Sequence, residues 1–501
     1  MNGLSRKIYL KLPLPTEDDP RSDQQRILDS LAAAGVEERV HIPVHILRKL
    51  YPLLDNAKWK ITVSLAWNGE NWEMVEIGEG DTTAQHYGLA VDLGSTTVVA
   101  RLLDCNSGEI LKEVSCFNKQ IQWGTDILSR IFYCKDNREK LEEVRRATVE
   151  SICECMDKLD ASHSAFSMVI AGNTTMIHFL LGMDAFCVFY TPHAVHADCP
   201  GFQLARDLDI PLKGYVYCYP AKSNYLGGDI ISGMIDTELY KKNEISVFFD
   251  IGTNGELVIG NKEFLLCGAG AAGPALEGGV VRTGMRADVG AVDEVKIRDG
   301  NIFVHVIGKQ AECFEVMHGE RKNQKNITDS VQSNTEKMTN LLSEDVSDEK
   351  CKDSNGKRET PPQGICGSGI IDLIAELFLE GWIDIRGKLS PEKSPLIQER
   401  DNQFCVEYAP GLYFYQKDID EFIRTKSAAH TMVEIMLRES GLDLNQADRF
   451  YVAGAFGKHV SKESAITIGM YPDMDRDHII NAGNSSLEGA QKLLLNRSLL
   501  T

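Results

Sequence analysis

Apolar and polar residues alternate from Trp59 to Trp67 and again from Trp72 to Ile77, with Asn68-Gly69 in the gap. Period-two alternation on both sides of a turn dipeptide predicts a β-hairpin. Ahead of it, Asp18–Ala34 reads as a helix with acidic residues at its start, and His45–Leu54 as a short second helix. Pro13, Pro15 and Pro20 mark an extended lead-in. Residues 1–85 are therefore expected to form a small α+β module of their own, with no residue pattern that points to catalysis.

The pattern then changes. Gly88–Val91 is an apolar run that ends on Asp92, Leu93-Gly94-Ser95-Thr96-Thr97 follow, and Val98–Leu103 is apolar except for Arg101. This predicts strand, tight turn, strand. A tip with one carboxylate, one glycine and three hydroxyls suits a phosphate and its metal. Gly94 lets the backbone approach, turn N–H groups and hydroxyls donate to phosphate oxygens, and Asp92 can hold Mg²⁺ or its waters. An ordinary hairpin with a polar tip is the alternative. The same grammar returns at Val247–Ile251, with Asp250, Gly252, Thr253 and Asn254 ahead of the apolar run Leu257–Ile259. Downstream of each hairpin lies an apolar strand that runs into Ala-Gly, in Ser167–Met176 and in Arg449–His459. The repeated order predicts an internal duplication, and hence two lobes with a ligand between them.

Other stretches fill in the lobes. Asn137–Leu159 reads as a long helix, and His178 as a core histidine on an apolar helix face. Gly227-Gly228-Asp229 opens a helix, where either phosphate approach or a plain helix cap is expected. Gly268–Gly279, which contains Gly273, predicts close backbone approach. Glu277 in that loop is a candidate to orient water or a metal, or else an exposed loop carboxylate. Residues 319–362 are rich in mixed charge and lack aromatics, the composition of a disordered insertion. Helices are expected again over Ile370–Leu379 and Ser427–Glu439.

Composition narrows the partners. A chain of 501 residues has room for two or three domains, and its net charge of −20 argues against a nucleic-acid backbone or an anionic membrane as main partner. The N-terminus lacks a secretory apolar core and no uncharged run is long enough to span a bilayer, so a cytoplasmic location is expected. The thirteen cysteines include no C-x-x-C, which predicts buried, reduced thiols rather than a metal or cluster site within the chain. Cys267 and Cys366, in Gly-rich loops, are the positions to inspect for reactivity.

The two hairpins and the late glycine turn resemble the superfamily that joins acetate and sugar kinases, heat-shock chaperone ATPases and actin. The resemblance implies an α/β, duplicated two-lobe actin-like ATPase fold, with lobes at 86–243 and 244–501. It places Gly94, Ser95 and Thr96 on ATP phosphates, joined by Gly252, Thr253 and Asn254; Thr97, Gly227, Gly228 and Gly273 are added as ATP-binding candidates from their own turns and loops. Gly454, Ala455 and Gly457 would form the adenosine turn. Asp92 and Asp250 would hold Mg²⁺ and, with Glu277, serve catalysis.

Within that superfamily, the segments GAGAAGPALEGGV, GICGSGIIDLIAELFLEGWIDIRGKL, YVAGAFG, SAITIGMYPD, GNSSLEGA, AGNTTMIHFLLG and LGGDIISGMI resemble the reductive activators of corrinoid proteins. That resemblance implies ATP-dependent reduction of cob(II)alamin to cob(I)alamin in a methyltransferase system's corrinoid protein. It also implies a homodimer. Family members usually carry an iron–sulfur domain. This sequence has no spaced cysteine quartet, so no iron–sulfur cluster is expected in it and a separate ferredoxin-like donor would supply the electrons. A small-metabolite kinase and a non-redox ATP-dependent assembly or binding factor are the rival readings.

Overall fold

In a computed structural model, the described residues are 2–124, 126–161, 165–252, 255–270, 281–308, 312–316 (backbone only), 361–443, 446–454 and 460–500. They divide into two compact units, Met1–Tyr240 with Asn484–Thr501, and Lys241–Gly483.

The first unit opens with β1 (Ser5–Lys11), α1 (Asp23–Ala33), β2 (Val40–His41), α2 (Val44–Leu47), α3 (Leu50–Asn56), β3 (Lys60–Trp67) and β4 (Trp72–Glu79). The strands form a 4-stranded sheet in the order β1-β3-β4-β2. The expected hairpin is present, antiparallel with Trp67 opposite Trp72, and Gly69 takes the positive φ of its turn. Ser22, not an acidic residue, caps α1 by accepting from the Gln25 N–H at 3.2 Å. The expected single helix over His45–Leu54 is interrupted: a turn at Arg48-Lys49 separates α2 from α3, and α3 is itself kinked at Tyr51, which precedes Pro52 and leaves the helical region. Ile27, Leu31, Ile61, Val63, Leu65 and Trp72 are buried in a core of this sheet's own.

Next come β5 (Tyr87–Leu93), β6 (Thr97–Asp104), β7 (Ile110–Phe117), α4 (Ile127–Cys134), α5 (Arg138–Lys158), β8 (Ala165–Gly172), α6 (Thr174–Leu180), β9 (Gly201–Leu204), β10 (Tyr215–Cys218) and α7 (Gly228–Thr237). Their strands make a 6-stranded sheet, β7-β6-β5-β8-β10-β9. His178 is fully buried, and Nδ1–H donates to the Thr174 carbonyl at 2.7 Å while Nε2 accepts from the His196 N–H at 3.2 Å. It is a satisfied core histidine, held neutral by burial.

The second unit contains β11 (Ser246–Ile251), β12 (Gly255–Gly260), β13 (Leu265–Gly270), β14 (Ala291–Arg298), β15 (Asn301–Val306), β16 (Glu312–Val316), β17 (Gly364–Ile365), α8 (Gly367–Leu379), β18 (Ile397–Arg400), β19 (Gln403–Ala409), β20 (Leu412–Tyr415), α9 (Gln416–Ser440), β21 (Arg449–Ala453), α10 (Lys462–Thr467) and β22 (Ile479–Gly483). A 5-stranded sheet runs β13-β12-β11-β21-β22. The helix expected at Ser427 starts earlier, at Gln416, where the Asp418 carboxylate accepts from the Tyr415 N–H at 2.9 Å and closes the first turn. The insertion expected at 319–362 lies outside the described residues except for its last two positions.

The duplication is visible in strand register. In the first unit β5 pairs antiparallel with β6 and parallel with β8, which sets Asp92 opposite Ala171. In the second, β11 pairs antiparallel with β12 and parallel with β21, which sets Asp250 opposite Ala453. Gly172 and Gly454 follow those alanines, so each Ala-Gly lands beside its hairpin aspartate. The last helix, α11 (Ser485–Leu495), belongs to the first unit, although its sequence position groups it with the second lobe. It packs on α7, where a side chain on Gly489 would overlap the Ser232 backbone.

Candidate functional site

The first hairpin has a tip that is tight for a local reason. A Cβ on Gly94 would overlap the Thr97 carbonyl oxygen, so the turn closes only with glycine there. Asn118, which follows β7, grips the tip: its N–H donates to the Thr96 carbonyl at 2.9 Å and its side-chain amide to the Gly94 carbonyl at 3.0 Å. The buried guanidinium of Arg130 donates to the Ser95 carbonyl at 2.6 Å and to the Gly124 carbonyl at 2.9 Å. Carbonyl and N–H of a trans peptide are antiparallel. Three successive tip carbonyls, those of Gly94, Ser95 and Thr96, are thus each held by a residue from outside the tip, which fixes the peptide planes whose N–H groups a phosphate would use.

Asp92 stands at the end of β5 beside this tip. Its Oδ2 accepts from Asn484 Nδ2 at 2.9 Å and its Oδ1 from the Ser486 hydroxyl at 3.0 Å. Asn484 is also the cap of α11, with its side-chain oxygen accepting from the Leu487 N–H at 2.9 Å. Burial pushes the Asp92 carboxyl above the usual carboxylate range, against the opposing pull of these two donors. Asp229, in the first turn of α7, is pushed up to about 7 by burial, with the Asp92 charge adding to it. Two helix N-termini and a hairpin tip thus converge on two desolvated carboxyl groups. Such a pair lowers its energy by taking up a proton or by binding a divalent cation. Mg²⁺ keeps most of its waters and needs only one or two protein carboxylates. The pair fits it, although no cluster of three or more ligating side chains occurs among the described residues.

Gly227 and Gly228, expected on phosphate, have packing reasons of their own. A Cβ on Gly227 would overlap Asn173, and one on Gly228 would meet Tyr219. The member of that motif whose charge couples to Asp92 is Asp229. In the second unit, a Cβ on Gly454 would overlap the Ile251 carbonyl and lie 2.8 Å from Asp250 Oδ1; its φ is +90°. The adenosine-turn glycine and the hairpin aspartate therefore meet, and Gly252 follows directly on β11. Thr253, Asn254, Gly273, Glu277, Ala455 and Gly457 lie outside the described residues. Cys267 is exposed and Cys366 is buried at the cap of α8.

Asn118, Arg130, Asn484 and Ser486 are the site residues that the motif reading did not single out, and Asp229 enters it only as part of its helix-opening motif. One signal was present. Ala482-Gly483-Asn484-Ser485-Ser486 repeats the Ala-Gly-Asn-hydroxyl-hydroxyl order of Ala171–Thr175, and Asn173 caps α6 as Asn484 caps α11.

Comparison with known proteins agrees with this anatomy. Residues 1–84 match the RACo linker region, 87–242 the RACo middle region, and 244–501 the C-terminal domain of RACo, the ASKHA domain. A solved structure of a reductive activator for a corrinoid, iron–sulfur protein superposes with a TM-score of 0.81 at 32% identity, over 100% of this chain and 74% of that one. The corrinoid activation enzyme RamQ of Eubacterium limosum is 28% identical over 436 residues, which are 82% of this chain and 64% of that protein. The [Co(II) methylated amine-specific corrinoid protein] reductase of Methanosarcina barkeri is 24% identical over 426 residues, 83% of this chain and 71% of that protein. The fold and its matches define a protein with a duplicated, actin-like α/β fold of the ASKHA class. The chain belongs to the RACo family of reductive activators of corrinoid proteins. Among the described residues no helix is long and apolar enough to cross a membrane.

Proposed function

We propose that this chain uses Mg-ATP to drive the one-electron reduction of cob(II)alamin to cob(I)alamin in a corrinoid protein of a methyltransferase system. The electron comes from a separate ferredoxin-like donor. The observation that carries the reading is the Asp92–Asp229 carboxyl pair at the foot of a clamped, hydroxyl-rich hairpin, in a chain of the RACo family.

In this reading Asp92 and Asp229 hold the hydrated Mg²⁺, and Asn484 and Ser486 keep Asp92 in one rotamer. The tip N–H groups and the hydroxyls of Ser95, Thr96 and Thr97 neutralise phosphate charge, with Asn118 and Arg130 fixing the tip from behind. Asp250, with Gly252, Thr253 and Asn254, forms the corresponding tip of the second unit, and Gly454, Ala455 and Gly457 the adenosine turn. Gly273 and Glu277 are assigned to the same nucleotide. Bound Mg-ATP supplies the free energy that an uphill reduction of cobalt requires, released through a conformational change. A homodimer and a cytoplasmic location belong to the same proposal.

The test mixes the purified chain with a corrinoid methyl-transfer subunit in the cob(II)alamin state, a low-potential reductant and Mg-ATP. Loss of the Co(II) absorption only when ATP is present supports the proposal. No ATP-dependent spectral change, together with phosphorylation of a small metabolite, would replace it with a kinase.

A further inference from the structure

Two thiols lie close together just below the hairpin. β7 is the outer strand of its sheet, and Cys116 is its one buried residue, between exposed Ser115 and Phe117. Cys155, on α5, is fully buried. Their sulfurs are 3.3 Å apart and both thiols are free. Cys116 also donates to the Ser151 carbonyl at 3.3 Å, and Cys155 to the Val98 carbonyl at 3.7 Å. Val98 pairs with Cys116 in the β6–β7 register and directly follows the hairpin tip. Cys116 is two positions before Asn118, which grips the tip through the Gly94 and Thr96 carbonyls.

A disulfide brings its sulfurs to about 2.05 Å, so closure needs an approach of ~1.3 Å. An outer strand bonded on one side only can give that much. We propose that Cys116 and Cys155 form a reversible thiol–disulfide site, closed by a two-electron oxidant of the peroxide class, and that closure loosens the nucleotide hairpin through Asn118.

The chemistry balances within the pair. When the Cys116 proton leaves, the Cys155 S–H can turn from the Val98 carbonyl to the Cys116 sulfur 3.3 Å away, which favours the thiolate at Cys116 and the protonated form at Cys155. The Cys116 thiolate attacks one peroxide oxygen, becomes a sulfenic acid and expels hydroxide, which takes up the released proton as water. The Cys155 sulfur then attacks the sulfenic sulfur, the S–O bond breaks, the S–S bond forms and a second water leaves. The protein loses two electrons and two protons, and the peroxide is reduced to water. Because Asn118 is set by the position of β7, moving Cys116 toward α5 shifts both of its contacts to the tip.

The experiment treats the full chain with hydrogen peroxide, traps remaining thiols with iodoacetamide under denaturing conditions and maps a non-reducing digest by mass spectrometry. A linked Cys116–Cys155 peptide that disappears on reduction is expected, and Cys153→Ser protein should still form it. Affinity for a fluorescent ATP analogue with Mg²⁺ should fall by about fivefold on oxidation and recover with dithiothreitol. Separate alkylation of Cys116 and Cys155 after oxidation, or their linkage to other cysteines, would overturn the site. A linked peptide with unchanged nucleotide affinity would overturn the coupling to the hairpin. The affinity arm rests on the proposed nucleotide function. Failure of the reduced protein to bind the analogue counts against that function, and the peptide map still decides the thiol site.

Discussion

Asn484 donates its side-chain amide to Asp92 at 2.9 Å across 392 positions of sequence, and in doing so ties the cap of the last helix to the first hairpin. Ser486, two residues further on, donates to the other oxygen of the same carboxylate. Both donors fix the direction of the carboxylate that the proposed Mg²⁺ needs. Ser486→Ala removes one of them without removing a helix cap. ATP turnover should fall by about tenfold or more, with thermal stability nearly unchanged. Asn484→Ala should lower turnover as well and also cost about 1 kcal/mol of stability through the lost cap. Paired activity and melting measurements separate the two effects.

The raised Asp229 carboxyl links metal to pH. Its folded value of about 7 lies above that of an unfolded aspartate, so the native state holds more protons in between. The stability this contributes is fully present below about pH 4 and is lost as pH rises through about 7. Metal-free protein should therefore melt lower at pH 8 than the Asp229→Asn variant does, and the gap should narrow at pH 5. Mg²⁺ should stabilise the wild-type chain more at pH 8 than at pH 5, and the variant less at either pH. Melting curves at both pH values, with and without Mg²⁺, check the sign.

Arg130 is a buried guanidinium that holds two loop carbonyls by hydrogen bonds. Arg130→Met keeps much of the apolar stem and deletes the donors. The Ser95 and Gly124 carbonyls lose these buried bonds, with a stability loss of roughly 2–3 kcal/mol. The freed tip should bind ATP about tenfold more weakly, and a nucleotide titration on the folded variant measures it.

Asp250 matches Asp92 in register and in its Ala-Gly neighbour. Asp250→Ala should abolish ATP hydrolysis while leaving the fold intact, since the shortened side chain faces the glycine at 454 rather than a packed apolar group. Gly454→Ala should do the reverse damage. Its positive φ and the overlap with the Ile251 carbonyl should cost about 2 kcal/mol or more, seen as a lowered melting temperature.

Local structure was legible wherever one segment decides its own backbone. Both hairpins, the Asn68-Gly69 turn and the α5 helix follow from alternation, caps and turn residues. So does the repeat of hairpin and Ala-Gly strand, and strand pairing then brought each Ala-Gly beside its aspartate. Elements departed from expectation where a single local feature intervened, as at the Tyr51 kink before Pro52 and at the Tyr415 N–H bond to Asp418 where α9 starts early. The glycines of Gly227-Gly228 show the limit of motif reading. Their small size is explained by Asn173 and Tyr219, while the chemistry of that motif resides in Asp229.

The sequence by itself determined the duplicated hairpins, the aspartate at each tip and the family. Only the tertiary structure decided that α11 packs with the first unit, that Asn484, Ser486 and Asp229 gather around Asp92, and that Cys116 meets Cys155. The reason is the range of the forces involved. Turn geometry and hydrophobic periodicity act over a few residues. The meeting of α7 with α11 depends on Gly489 fitting against Ser232, a non-local contact that no window of sequence contains.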